Sequence, residues 1–241
     1  MTGHVIGGNG SGDLAIDNLN FRSGTLKDVA QINGGASGLN KTTSGTLILL
    51  GTHTYTGNTS VTDGTLLVNG TYGGGGLITV SASATLGGAG QTGDADLLLG
   101  GTLSPGQDTH ADNWFQAGAL SLSPATQLNF DLGAPDDGGA SLPGNDLVLA
   151  ASVPYLGGVI NVTPLAGFTA APGGSKWRLF DLSSGTVPAS HNLSLAPDLA
   201  ANYGIEAVEG ASSIYLVAVP EAATSGLVLA GLLMLRRLFL A

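Results

Sequence analysis

Cysteine is absent from this 241-residue chain. That removes disulfides, thiolate nucleophiles and cysteine-ligated zinc together. Charge is scarce too: 10% of residues are charged, against ~25% in an ordinary soluble domain. The scarcity is worst for cations, with seven Lys and Arg against seventeen Asp and Glu and a formal net charge of −10. Such a surface repels a phosphate backbone, which argues against a nucleic-acid partner. Arg22, Lys27, Lys41, Lys176 and Arg178 are scattered, and only Arg236-Arg237 stand together. Proline does not occur before Pro105, as an uninterrupted strand ladder requires. No convincing helical amphipathic period precedes residue 222. The first residues, MTGHVIGGNGSGDLAID, have no basic stretch and no apolar run of a secretory signal. Because the other end points to export, the sequence is expected to lack its true start or to begin inside a longer array.

What is present is glycine, forty residues of it, with 43% hydrophobic residues in short regular groups. A disordered chain lacks those apolar groups because it cannot offset the entropy of ordering. The chain therefore reads as folded and β-rich. Gly-Thr-Leu recurs at Gly24-Thr25-Leu26, Gly45-Thr46-Leu47, Gly64-Thr65-Leu66 and Gly101-Thr102-Leu103. Variants follow the same spacing at Ala84-Thr85-Leu86 and Gly118-Ala119-Leu120. The steps of 21, 19, 20, 17 and 17 residues are the mark of stacked repeats. Strands are expected at 46–49, 61–62, 65–68, 77–80 and 97–99, closed by Gly, Asn or Asp-Gly corners. Asp63-Gly64 and Asn69-Gly70 are turn pairs expected to supply positive φ. Beyond about residue 104 the period fades. Longer strands are expected at 118–122, 126–132, 146–150, 158–163, 176–181, 191–195, 203–208 and 213–219, between Pro/Gly/Asp loops.

Residues 34–106 closely resemble the autotransporter-associated β-strand repeat. The motifs that carry the likeness are Lys41 to Leu47, Thr52-His53-Thr54-Tyr55-Thr56-Gly57, Gly64-Thr65-Leu66-Leu67, Ala84-Thr85-Leu86-Gly87-Gly88 and Gly101-Thr102-Leu103-Ser104-Pro105-Gly106. Thr43 stands where that family has Gly, and His53 interrupts its Asn-Thr-Tyr run. The resemblance implies a right-handed parallel β-helix passenger exposed at the cell surface, with no catalytic residues.

The tail reads IYLVAVPEAATSGLVLAGLLMLRRLFLA. Its uncharged run from Ala222 to Leu235 would rise ~21 Å as a helix, short of a ~30 Å hydrocarbon core. An arginine pair stays on the cytoplasmic face, so the body is expected outside. Pro220, Glu221, the apolar run, Arg236 and Arg237 in that order resemble the PEP-CTERM sorting tail of Gram-negative bacteria. Ala222 replaces that motif's second proline. The resemblance implies recognition by an exosortase-type membrane enzyme, removal of the tail and delivery to the surface or matrix. An uncleaved helical anchor is the alternative.

Candidate chemistry is sparse. Gly7 to Leu14 nearly matches a calcium nonapeptide but occurs once, and such sites need tandem copies. Asp108, His110 and Asp112 would share one face of an extended segment, as metal ligands can, yet they sit in a loop. Asp136-Asp137 and Asn145-Asp146 could bind calcium but read as solvated acidic loops. His4, His53, His110 and His191 are isolated, and no nucleophile elbow accompanies them. A β-helix lyase or hydrolase would need clustered acids with a basic partner, whereas 40–103 offers Asp63, Asp94, Asp96 and Lys41. Thr25, Thr46, Thr65, Thr85 and Thr102 recur at one repeat position and could form an exposed row, with ice or sugars such as extracellular polysaccharide as a ligand.

The expected protein is all-β: a right-handed parallel β-helix or solenoid with an irregular C-terminal β cap, then one hydrophobic C-terminal helix. Residues 1–106 carry the repeats. Residues 107–219 form an atypical end of the stack or a sandwich-like cap, and 220–241 the sorting segment. The expected role is that of a non-enzymatic structural protein, exported to the surface, outer membrane or matrix of a Gram-negative bacterium. It needs no cofactor and has a transient or permanent C-terminal anchor. An adhesin or exopolysaccharide-binding module is the alternative.

Overall fold

The computed structural model describes residues 19–29, 38–93, 97–106, 114–137, 144–168 and 171–220. All its regular elements are strands. They are β1 (Leu19–Phe21), β2 (Gly24–Lys27), β3 (Leu39–Leu50), β4 (Thr52–His53), β5 (Thr59–Val68) and β6 (Thr71–Tyr72). Next come β7 (Ile78–Val80), β8 (Ala84–Gly88), β9 (Leu97–Leu99), β10 (Thr102–Pro105), β11 (Trp114–Leu122) and β12 (Gln127–Leu132). The last are β13 (Leu147–Tyr155), β14 (Gly157–Pro164), β15 (Lys176–Leu182), β16 (Asn192–Leu195), β17 (Tyr203–Glu206) and β18 (Ser213–Ala218).

Pairing is parallel and runs in three series. In the first, Leu19 pairs with Leu39, Leu39 with Thr59, Thr59 with Ile78, Ile78 with Leu97, and Leu97 with Leu120. In the second, Leu47 pairs with Leu66, then Leu86, Leu103, Leu128, Ile160 and Leu195 in turn. The third joins β4 to β6, passes through bridges from Thr71 to Gln91 and Gln91 to Gln116, and continues through β11, β13 and β15. Parallel strands cannot be joined by tight hairpins, so each strand finds its partner about one repeat away. The ladder runs without a break across residue 106, because β10 pairs with β12.

Side chains alternate in and out with period two. The inward column of the second series, from Leu47 through Leu128 to Ile160, is almost wholly buried. Among the described strands, the antiparallel pairs are the last: β18 against β15, and β17 against β18. There the core ends on packed rings. Phe168 stacks on Tyr203 at 5.1 Å, Trp177 lies 4.8 Å from Phe168, and the Trp177 indole donates to the Gly133 carbonyl at 2.8 Å.

The two expected corner glycines work differently. Gly64 has φ +70°, as a turn residue should. Gly70 is not in the left-handed region. A Cβ there would stand 2.2 Å from the Gly51 carbonyl oxygen, so stacking of corners excludes a side chain. Short expected strands also merge: 46–49 is the end of β3, and 61–62 and 65–68 belong to β5, both of which bend to serve two series.

Candidate functional site

The threonine row is the site the sequence pointed to most directly. Thr46, Thr65, Thr85 and Thr102 are consecutive partners on the second series, so their side chains stack at the ~4.8 Å strand spacing. Thr46 is exposed and the other three are half-buried. Thr25 does not join them. It pairs with Ile48, because Gly24 aligns with Leu47 and Leu26 with Leu49. The offset is two residues, which leaves Leu26 pointing inward and Thr25 outward, so burial does not distinguish the two registers. Further along the same series the row continues as Gln127 and Val159. The Asn161 amide donates to Gln127 Oε1 at 3.1 Å and to Asn129 Oδ1 at 3.0 Å. The outer side of this series thus presents hydroxyls and then linked amides.

Of the two loop pairs considered for calcium, one is not solvated. Asn145 and Asp146 are buried, which corrects the reading of that pair as a solvated loop. Asn145 accepts from Gly133 N–H at 2.6 Å and donates to the Ala134 carbonyl, while Asp146 accepts from Asp131 N–H at 2.8 Å. Both hold the edge of β12. Asp136 accepts from Arg178 N–H at 2.8 Å and Asp137 from Lys176 N–H at 3.2 Å. Beside them Lys176 is paired with Glu206 at 2.7 Å and Arg178 with Asp181 at 3.1 Å. Acids and bases therefore do meet on the outer side of β15, already tied to one another or to main chain. A shallow depression of about 380 Å³ lies next to them, lined by Gln116, Leu149, Asp181 and Ser183 over small residues. Its carboxylate also accepts from Ser213 Oγ at 3.3 Å.

Two polar side chains for which no burial was expected lie inside. Lys41 is fully buried on the first series, in line with Phe21 and Val61. Its Nζ donates to the carbonyls of Thr43 and Asp63, closing the bends of β3 and β5. Burial pushes its pKa down, with the nearby Asp63 carboxylate opposing. His53 is fully buried as well, and burial lowers its pKa against the pull of the Leu50 carbonyl and Asp28. Tyr55 lies behind it, bonded through its hydroxyl to Thr59 at 2.9 Å. A pattern in one sequence gives no signal for either burial, since each depends on what stacks a repeat away.

His191 is exposed. His4, the Gly7–Leu14 segment, Asp94, Asp96, Asp108, His110, Asp112, Glu221, Arg236 and Arg237 lie outside the described residues. Pro220 is the last described residue, and its ring and backbone lie against Gly173. Among the described residues no three His, Asp or Glu side chains gather as a metal-binding group. Nor, among them, is any helix long and apolar enough to cross a membrane. Compared with known proteins, the chain matches no family model and no curated protein.

Proposed function

We propose that this chain is a non-enzymatic structural protein of a bacterial cell surface or matrix, a right-handed parallel β-helix with an irregular C-terminal β cap. The observation that carries the proposal is the in-register parallel pairing of leucines about one repeat apart, from Leu47 to Leu128. Such stacking satisfies backbone groups that no single repeat could satisfy alone and builds a long, rigid body without disulfides. The sorting role rests on the tail. Pro220, Glu221, the apolar run and Arg236-Arg237 suit an exosortase-type enzyme and the membrane in which it works. The apolar run is short for a permanent span if helical.

Localising the full-length protein and weighing its mature C-terminus tests this reading. Surface or matrix protein ending upstream of the apolar run is expected. Recovery from envelopes of a chain intact to Ala241 rejects processing and leaves a permanent anchor.

A second reading, an adhesin or exopolysaccharide-binding module, is favoured by the stacked hydroxyls of Thr46, Thr65, Thr85 and Thr102. Binding to exopolysaccharide that falls on Thr65→Val and Thr85→Val supports it. An unresponsive glycan array rejects it.

A further inference from the structure

The first described repeat unit, residues 19–29, is docked on the next at its far end by four hydrogen bonds. Asp28 N–H donates to the Leu50 carbonyl at 3.2 Å and Thr54 N–H to the Val29 carbonyl at 3.1 Å. The other two end on titratable side chains: Thr52 N–H donates to Asp28 Oδ1 at 2.9 Å, and Val29 N–H to His53 Nδ1 at 3.4 Å. Accepting at Nδ1 requires a neutral ring that carries its proton on Nε2. That Nε2 is buried and has no hydrogen-bond partner. The imidazole itself has no exposed surface.

From this arrangement we infer that His53 is an acid-labile latch, which holds residues 19–29 at neutral pH through the bond at Nδ1 and releases them when its ring is protonated.

A proton on Nδ1 would face the Val29 N–H, replacing an attraction between donor and acceptor by one between two donors. It would also place a cation where water cannot reach. The groups around the ring are the Asp28 carboxylate, the Leu50 carbonyl, and the rings of Tyr55 and Tyr72. The first two favour the charged ring, and burial outweighs them. The folded pKa of His53 is depressed below its value in the released unit, so the released form binds the extra proton. Release is therefore favoured as pH falls below the ordinary histidine range, and the gain stops once the docked ring also titrates. β3 pairs with β1 and β2 on one side and with β5 on the other. Release would leave its first side as an unpaired parallel edge, open to strand addition.

The test is hydrogen exchange of the full-length protein between pH 7.5 and 5, corrected for intrinsic chemical rates. Opening of residues 19–29 should rise by up to about tenfold per pH unit below about 6.5, while β12 and β14 stay protected. His53→Phe should remove that slope. An unchanged slope in His53→Phe, or equal loss of protection in β12 and β14, overturns the latch. Should His53→Phe fail to fold, the His53 ring signal in the wild-type protein decides. Titration of the docked ring below about 6.5 is expected, and titration at or above that value overturns the inference.

Discussion

Three glycines separate the two reasons for which these corners exclude side chains. Gly75 has φ +74° with open space where a Cβ would go. Gly70 has no positive φ, but its Cβ would stand 2.2 Å from the Gly51 carbonyl oxygen. Gly64 combines both: φ +70° and a Cβ 2.2 Å from the Thr43 oxygen and 2.5 Å from the Gly45 oxygen. A left-handed conformation costs an L-residue about 1–2 kcal/mol, the expected loss for Gly75→Ala. Forcing a methyl against backbone costs about 1–3 kcal/mol, the expected loss for Gly70→Ala. Gly64→Ala should lose the sum, about 2–5 kcal/mol. Each alanine also restricts the unfolded chain and returns about 0.4–1 kcal/mol, which shifts all three values together. Urea unfolding at neutral pH reads these differences, provided that the slope against denaturant stays constant. Equal losses at Gly64 and Gly75 would refute the account, because stacked corners would then add nothing to the backbone strain.

Two further outcomes follow from groups buried in the core. Burial raises the Tyr55 phenol well above its ordinary value of 10, so its contribution to stability is complete below pH 10 and is lost as pH climbs toward the folded value. Tyr55→Phe should flatten the alkaline fall in the unfolding free energy read by urea, by up to about 1.4 kcal/mol per pH unit, and an unchanged slope contradicts it. Trp177→Phe leaves the Gly133 carbonyl without its 2.8 Å donor and should cost at least about 1–3 kcal/mol by urea unfolding. A loss under about 0.5 kcal/mol, typical of a surface change, would show that the aromatic end does not seal the core.

The strands were largely legible because alternation is a local property. Residues 126–132 were expected and 127–132 observed, and 176–181 against 176–182. The threonine row was legible for four of its five members, since each Thr-Leu pair carries its own in-out pattern. Thr25 failed because a slip of two residues changes no side chain's face and leaves no local trace. Asn145-Asp146 failed for another reason: an acidic pair between loops looks solvated until the strand edge that it holds is in view. Lys41 read as one of a few scattered cations, yet its stem lies in the core and its amine closes two bends.

By itself, then, the sequence determined the strand-forming alternation, the repeat near twenty residues and the lack of disulfides, because composition and period act over neighbouring residues. Only the tertiary structure decided the register of the first unit, the burial of Lys41 and His53, and the antiparallel turn of β17 and β18 at the end. Those depend on which carbonyls, rings and carboxylates meet across a parallel ladder, where partners stand a full repeat apart. In the sequence, His53 and Asp28 are 25 positions apart; in the fold, they hold neighbouring bonds of one junction.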